Sequence, residues 1–91
     1  MRLKYKFLIQ EVAGSYMAVA VGEDAENYKD MIKMNGTAKR ILELLQQGLN
    51  EDAIVEILLR EFNATENDVR LSVETLLDQL RSQNLLVEEY V

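Results

Sequence analysis

The feature that most constrains this chain is a change of hydrophobic period at Asn35-Gly36. Upstream, apolar residues fall in short β-prone runs: Phe7-Leu8-Ile9-Gln10-Glu11-Val12-Ala13, Ser15-Tyr16-Met17-Ala18-Val19-Ala20-Val21 and Met31-Ile32-Lys33-Met34. Successive side chains of a strand point to opposite faces, so such runs read as strands. Downstream, apolar residues recur every three or four positions, the spacing of one helix face. A chain that switches period once, with no return, builds a sheet first and packs helices on it afterwards.

Gly14-Ser15 lies between the first two runs and predicts a two-residue hairpin turn, since Gly accepts a positive φ at the first central position. In that arrangement Leu8, Val12, Met17, Val19 and Val21 share one face, with Gln10 the exception on it. We take this face as the core side. Phe7, Ile9, Glu11, Tyr16, Ala18 and Ala20 share the other, which is less polar than a solvated face should be. The polar stretch Gly22–Asp30 reads as the loop to the third strand. There Ile32 and Met34 alternate with Met31 and Lys33.

Three helices follow. Asn35 or Thr37 caps the first, which carries Ala38, Ile41, Leu42 and Leu45 with Leu44 on its flank, and Gly48 closes it. Asn50 caps the second, with Glu51 and Asp52 in its first turn and Ile54, Val55, Leu58, Leu59 and Phe62 as its stripe. Asn63-Ala64 ends it. Thr65 caps the third, whose stripe is Val69, Val73, Leu76, Leu77 and Leu80. Leu71 stands opposite that stripe, as a lone exposed leucine or as part of a second interface. Ser82-Gln83-Asn84 ends this helix. Leu85-Leu86-Val87 is expected to run extended against the core, and Glu88-Glu89 to be a solvated tail. The expected fold is α+β: a three-stranded antiparallel sheet, then three helices on it. The length of 91 residues suits one domain spanning 1–91.

Composition narrows the chemistry. The chain has no His and no Cys, so the commonest general base, transition-metal ligands and thiol nucleophile are missing. Gly14, Gly22, Gly36 and Gly48 are isolated and form no phosphate loop. The carboxylates Glu51, Asp52, Glu66 and Asp68 sit at helix starts, where they complement the helix dipole. No catalytic, metal or cofactor site is read here. No apolar run reaches the ~20 residues of a membrane span, and the basic start is not followed by a signal-peptide pattern, so a cytoplasmic protein is expected.

Charge is unevenly spread. Residues 1–40 carry a net +2 and residues 41–91 a net −8. In a winged helix the third helix reads DNA and carries Lys or Arg for phosphates. Here that helix holds two Arg against four carboxylates, which argues against nucleic acid. A DNA-binding regulator remains the alternative reading, beside a domain that engages another protein through its acidic helices.

Met34-Asn35-Gly36-Thr37-Ala38 and Leu44-Leu45-Gln46-Gln47-Gly48 resemble the PqqD-like family, small proteins that recognise the leader segment of ribosomally made, post-translationally modified peptides. In that pattern a strand ends in Leu-Asn, small residues open a helix, and a Gly follows it. Met34 stands for the Leu, Asn35 for the Asn and Thr37-Ala38 for the small residues. Ile41-Leu42 stands where the family often has Ile-Trp, so the aromatic is lost. Glu11–Tyr16 resembles the family's hairpin, Ala53–Leu58 with Phe62 its second helix, and Val69–Leu86 its third helix and closing segment. The likeness covers residues 6–88.

The resemblance implies a winged helix-turn-helix variant that binds peptide instead of DNA. The leader adds as a strand to the edge of the third strand and lies in the cleft between it and the third helix. The residues expected to meet it are Lys29, Met31, Ile32, Lys33, Met34, Arg70, Val73, Leu77 and Arg81. Of these, Ile32, Met34, Val73 and Leu77 also serve the core, and Arg70 and Arg81 also pair with helix carboxylates. Lys29 and Lys33 would favour an acidic peptide, and Met31 and Met34 offer adaptable apolar surface. The implied partners are a precursor peptide and its modifying enzyme, a radical S-adenosylmethionine enzyme or a leader protease. No cofactor and no membrane are implied, and a homodimer is compatible with this reading.

Overall fold

A computed structural model describes residues 1–88. Glu89, assigned above to a solvated tail with Glu88, lies outside them. The element order is β1 (Arg2–Leu3), β2 (Phe7–Val12), β3 (Ser15–Ala20), a 3-10 turn (Gly22–Glu26), β4 (Met31–Met34), α1 (Gly36–Gln46), α2 (Glu51–Glu61), α3 (Glu66–Ser82) and β5 (Leu86–Val87). The main sheet is antiparallel in the order β2-β3-β4, with three helices following it, an α+β fold. The period switch at Asn35 marks the passage from sheet to helices.

The hairpin turn lies one residue earlier than Gly14-Ser15. Val12 pairs with Ser15, and the turn is Ala13-Gly14, with φ of 51° and 80°. Two successive positive φ values make a type I′ turn, whose twist matches the strands it joins.

The faces of the hairpin are grouped as expected, but the core lies on the other one. Phe7, Ala18 and Ala20 are buried, while Leu8 and Val12 are 47% and 51% exposed. The register explains this reversal. Ile9, Ala18 and Ile32 lie side by side across the three strands. Ala18, at the centre of that row, is fully buried and small enough to let the helical layer approach, and α1 packs on β3. Summed hydropathy favours the face with larger side chains, but close approach of a helix favours the one with alanines. On β4, Ile32 and Met34 are buried and Met31 and Lys33 exposed, as the alternation predicts.

Asn35, Asn50 and Thr65 cap the three helices, their side-chain oxygens accepting from the backbone N–H groups of Ala38, Ala53 and Asp68. A cap of this kind contributes about 1 kcal/mol. Gly48, with φ of 85°, follows α1 in the left-handed conformation expected of a closing glycine. α1 is the central helix and touches β1, β3, β4, α2 and α3. Its buried stripe is accordingly wider than expected and takes in Leu44 at 2% exposure. Phe62 departs from its stripe: it follows α2 in extended backbone and is 40% exposed. Leu86–Val87 runs extended, as expected, but as β5 it pairs with β1, a two-residue strand at a start read only as basic.

The connector ahead of β4 is pinned at several points. Lys6 N–H donates to Asp24 Oδ2. Tyr28 stacks on Tyr5, meets Phe7 edge-on, and donates its hydroxyl to Gln83 Oε1 at the end of α3. Burial, and then the charge of Asp30, push the Tyr28 phenol above its usual pKa. β4 thus enters the sheet from a segment fixed to both the hairpin and α3.

Candidate functional site

Among the described residues β4 is an edge strand, since only β3 pairs with it. Its open groups follow from the register. A two-residue turn closes on a pair that exchanges both backbone hydrogen bonds, here Val12 and Ser15. Such pairs alternate with non-bonded ones, so Ser15, Met17 and Val19 direct their backbone groups to β2. Tyr16 and Ala18 direct theirs to β4, where their partners are Met34 and Ile32. The N–H and C=O groups of Met31 and Lys33 therefore point off the open edge. A short strand with unpaired groups is a template for another strand.

Beside this edge runs a groove of about 400 Å³ between the β4–α1 junction and α3. Met34, Ala38, Ile41 and Leu76 form an apolar floor. Leu71, Ser72, Thr75 and Gln79 form the α3 wall, and Lys33, Asn35 and Thr37 lie along the opposite rim. Thr75 donates its hydroxyl to the Leu71 carbonyl at 2.7 Å. Asn35 accepts from Ala38 at 2.8 Å, so its side-chain oxygen is committed to the cap. Lys39 lies over the Tyr16 ring, 5.0 Å from its centre, which settles a positive charge near the same junction.

The residues expected to bind peptide are distributed differently from a single groove lining. Lys33 and Met34 lie in the groove. Met31 is 64% exposed and shares the outer sheet face with Lys33, while Ile32 is buried beneath the sheet. Lys29 is exposed in the connector before β4. Val73 and Leu77 are core residues at 0% and 1% exposure, so their side chains cannot form a surface wall. The groove wall is the adjacent α3 face, and Leu71, 65% exposed, is its apolar member. Arg70 reaches Asp52 at 3.3 Å and Glu66 at 3.8 Å. Arg81 donates to Glu88 and, at 3.0 Å, to Asp78. The Glu88 bond, more than Asp78, holds the Arg81 guanidinium above its usual pKa. Both arginines are engaged in these pairs, away from the groove lining.

Sequence reasoning named Met34 but missed Ala38, Ile41 and Leu76 in the floor and the α3 wall. Leu71, off the buried stripe, was the signal for the wall. At the junction Asn35 and Thr37 were legible only as caps.

The chain's sequence from residue 9 to residue 86 matches the family described as Coenzyme PQQ synthesis protein D (PqqD). The chain belongs to the PqqD family. Two solved structures share the fold. TbiB1 in complex with the TbiA(beta) leader peptide matches with a TM-score of 0.72 and 18% identity, over 100% of this chain and 99% of that one. Lasso peptide synthetase B1 complexed with the leader peptide matches with a TM-score of 0.69 and 16% identity, over 96% of each chain. No curated protein matches the sequence. Among the described residues, no helix is long and apolar enough to cross a membrane, and no cluster of three or more carboxylates could hold a metal.

Proposed function

We propose that this PqqD-family chain binds the leader segment of a ribosomally made precursor peptide and presents it to a modifying enzyme. The observation that carries the proposal is the open β4 edge beside an apolar-floored groove. An incoming strand would bond to the backbone groups of Met31 and Lys33, which gives affinity with little demand on sequence. Its alternate side chains would enter the groove over Met34, Ile41 and Leu76 and against Leu71, which gives selectivity. Lys33, with Lys29 nearby in the chain, would favour carboxylates on the peptide. Both solved structures that share the fold are of proteins complexed with leader peptides, which supports the same reading for this chain.

In this reading the chain does no chemistry. It holds the leader still and raises the precursor's effective concentration at the enzyme, a radical S-adenosylmethionine enzyme or a leader protease. The test is a fluorescence-polarisation titration of the protein into labelled leader peptides of the precursors encoded beside its gene. Saturable binding is expected. Absence of saturable binding to every one of them sinks the proposal.

A further inference from the structure

The groove does not end at β4. A second pocket, of about 260 Å³, lies where α2 turns into α3, and Thr37 and Ser72 line both. Its remaining lining is Leu58, Phe62, Asn63, Ala64, Asp68 and Val69. Leu58 and Val69 are buried at its base, while Phe62 stands 40% exposed at its side. One helix stripe serves both cavities: Asp68, Ser72, Thr75 and Gln79 are spaced four, three and four residues apart on α3. From Asp68 to Gln79 the helix rises about 16 Å. An extended peptide covers that distance in about five residues. β4 has only four residues, and its Lys33–Met34 end lies at the first cavity.

We propose that a peptide added to β4 continues past Thr37 and Ser72 and seats one apolar side chain, of leucine to phenylalanine size, in the pocket beside Phe62. The proposal rests on the leader-binding reading and extends it by naming a second specificity determinant. Continuity of the two cavities through shared residues selects the occupant: the segment that leaves β4 is the one that reaches Phe62. Charge separates the two ends. Lys33 borders the first cavity, whereas among the described residues Asp68 is the one charged residue lining the second. The peptide is therefore acidic near β4 and neutral or basic around its apolar anchor. Phe62 is a ligand-side wall, which accounts for a large aromatic left outside the α2 stripe.

The experiment uses the synthetic leader of the precursor encoded beside this gene, carrying fluorescein, and a series shortened two residues at a time from each end. Polarisation is read with the full chain, with Phe62→Ala and with Phe62→Leu. The full leader is expected to bind Phe62→Ala about tenfold more weakly than wild type, and Phe62→Leu within about threefold of it. One truncation should lower wild-type affinity by the same factor, and Phe62→Ala should then cause no further loss. Thermal melts should show all three proteins folded at the assay temperature, with Phe62→Ala melting somewhat lower because part of the ring is covered, and Phe62→Leu closer to wild type. Equal affinity of wild type and Phe62→Ala for every peptide overturns the second pocket while leaving β4 binding intact. Binding of no peptide in the series by wild type overturns both readings.

Discussion

Leu71→Ala separates peptide binding from folding more cleanly than any other single change on α3. Leu71 is 65% exposed and lines the groove, so the free protein gains little from its side chain. Leucine and alanine are both strong helix formers, and the exchange should alter stability by no more than about 0.5 kcal/mol. Full burial of a leucine side chain is worth about 1.5–3 kcal/mol. With roughly two-thirds of that surface still open, an incoming strand can gain about 1–2 kcal/mol by covering it. Truncation to alanine forfeits most of this gain, a loss of about 5- to 20-fold in Kd at about 1.4 kcal/mol per decade. The control is Leu8→Ala, 47% exposed on the outer face of the sheet and remote from the groove lining. It removes similar apolar surface and should leave Kd unchanged. Leader affinity by polarisation and stability by urea melts decide the matter. If Leu71→Ala binds as wild type does, or if Leu8→Ala weakens binding equally, the assigned groove is wrong.

Three further outcomes are expected. Lys33→Glu should weaken an acidic leader by about three- to tenfold at low salt, with the difference shrinking as salt rises; an exposed charge pair is worth about 1 kcal/mol at most and is screened, so an unchanged Kd in the folded variant counts against the edge. Ala13→Asn should raise the melting temperature, because alanine at a φ of 51° costs about 1 kcal/mol that asparagine largely avoids; the shift should be about 4–8 °C, and a fall would refute the type I′ turn. Arg40 clamps Glu61 with two hydrogen bonds of 2.8 and 2.7 Å, joining α1 to α2, and this hydrogen bonding, ahead of the Arg40 charge, holds the Glu61 carboxyl below its usual range. A carboxylate with a lowered folded pKa stabilises the fold above its unfolded pKa and loses that contribution as pH falls through the folded one. Wild type should therefore exceed Glu61→Gln in melting temperature at pH 7, and the gap should close in acid; a gap that widens in acid reverses the assignment.

Much of the fold was legible because local rules and tertiary packing agree. Asn35, Asn50 and Thr65 each begin a helix both by composition and in the structure. The hairpin face was not legible, because both faces are apolar and the decisive factor was the space that Ala18 leaves for a helix. β1, the pairing partner of the extended Leu86-Val87, escaped notice because two residues carry no period. The site was half legible. Alternation places Lys33 on the exposed face of its strand and the family resemblance implied the open edge, but a groove wall consists of residues that a core stripe leaves out. Val73 and Leu77 belong to the stripe and so to the core, whereas Leu71, Ser72, Thr75 and Gln79 flank it and face the groove.

The central claim is that the leader bonds to the open edge of β4, and amide hydrogen exchange at single-residue resolution tests it directly. Ile32 and Met34 already bond to β3, so their exchange should change little when the leader binds. The amides of Met31 and Lys33 point off the edge and should slow by at least tenfold in the complex. Slowing confined to α2 and α3, with Met31 and Lys33 exchanging as fast as in the free protein, would contradict strand addition at β4.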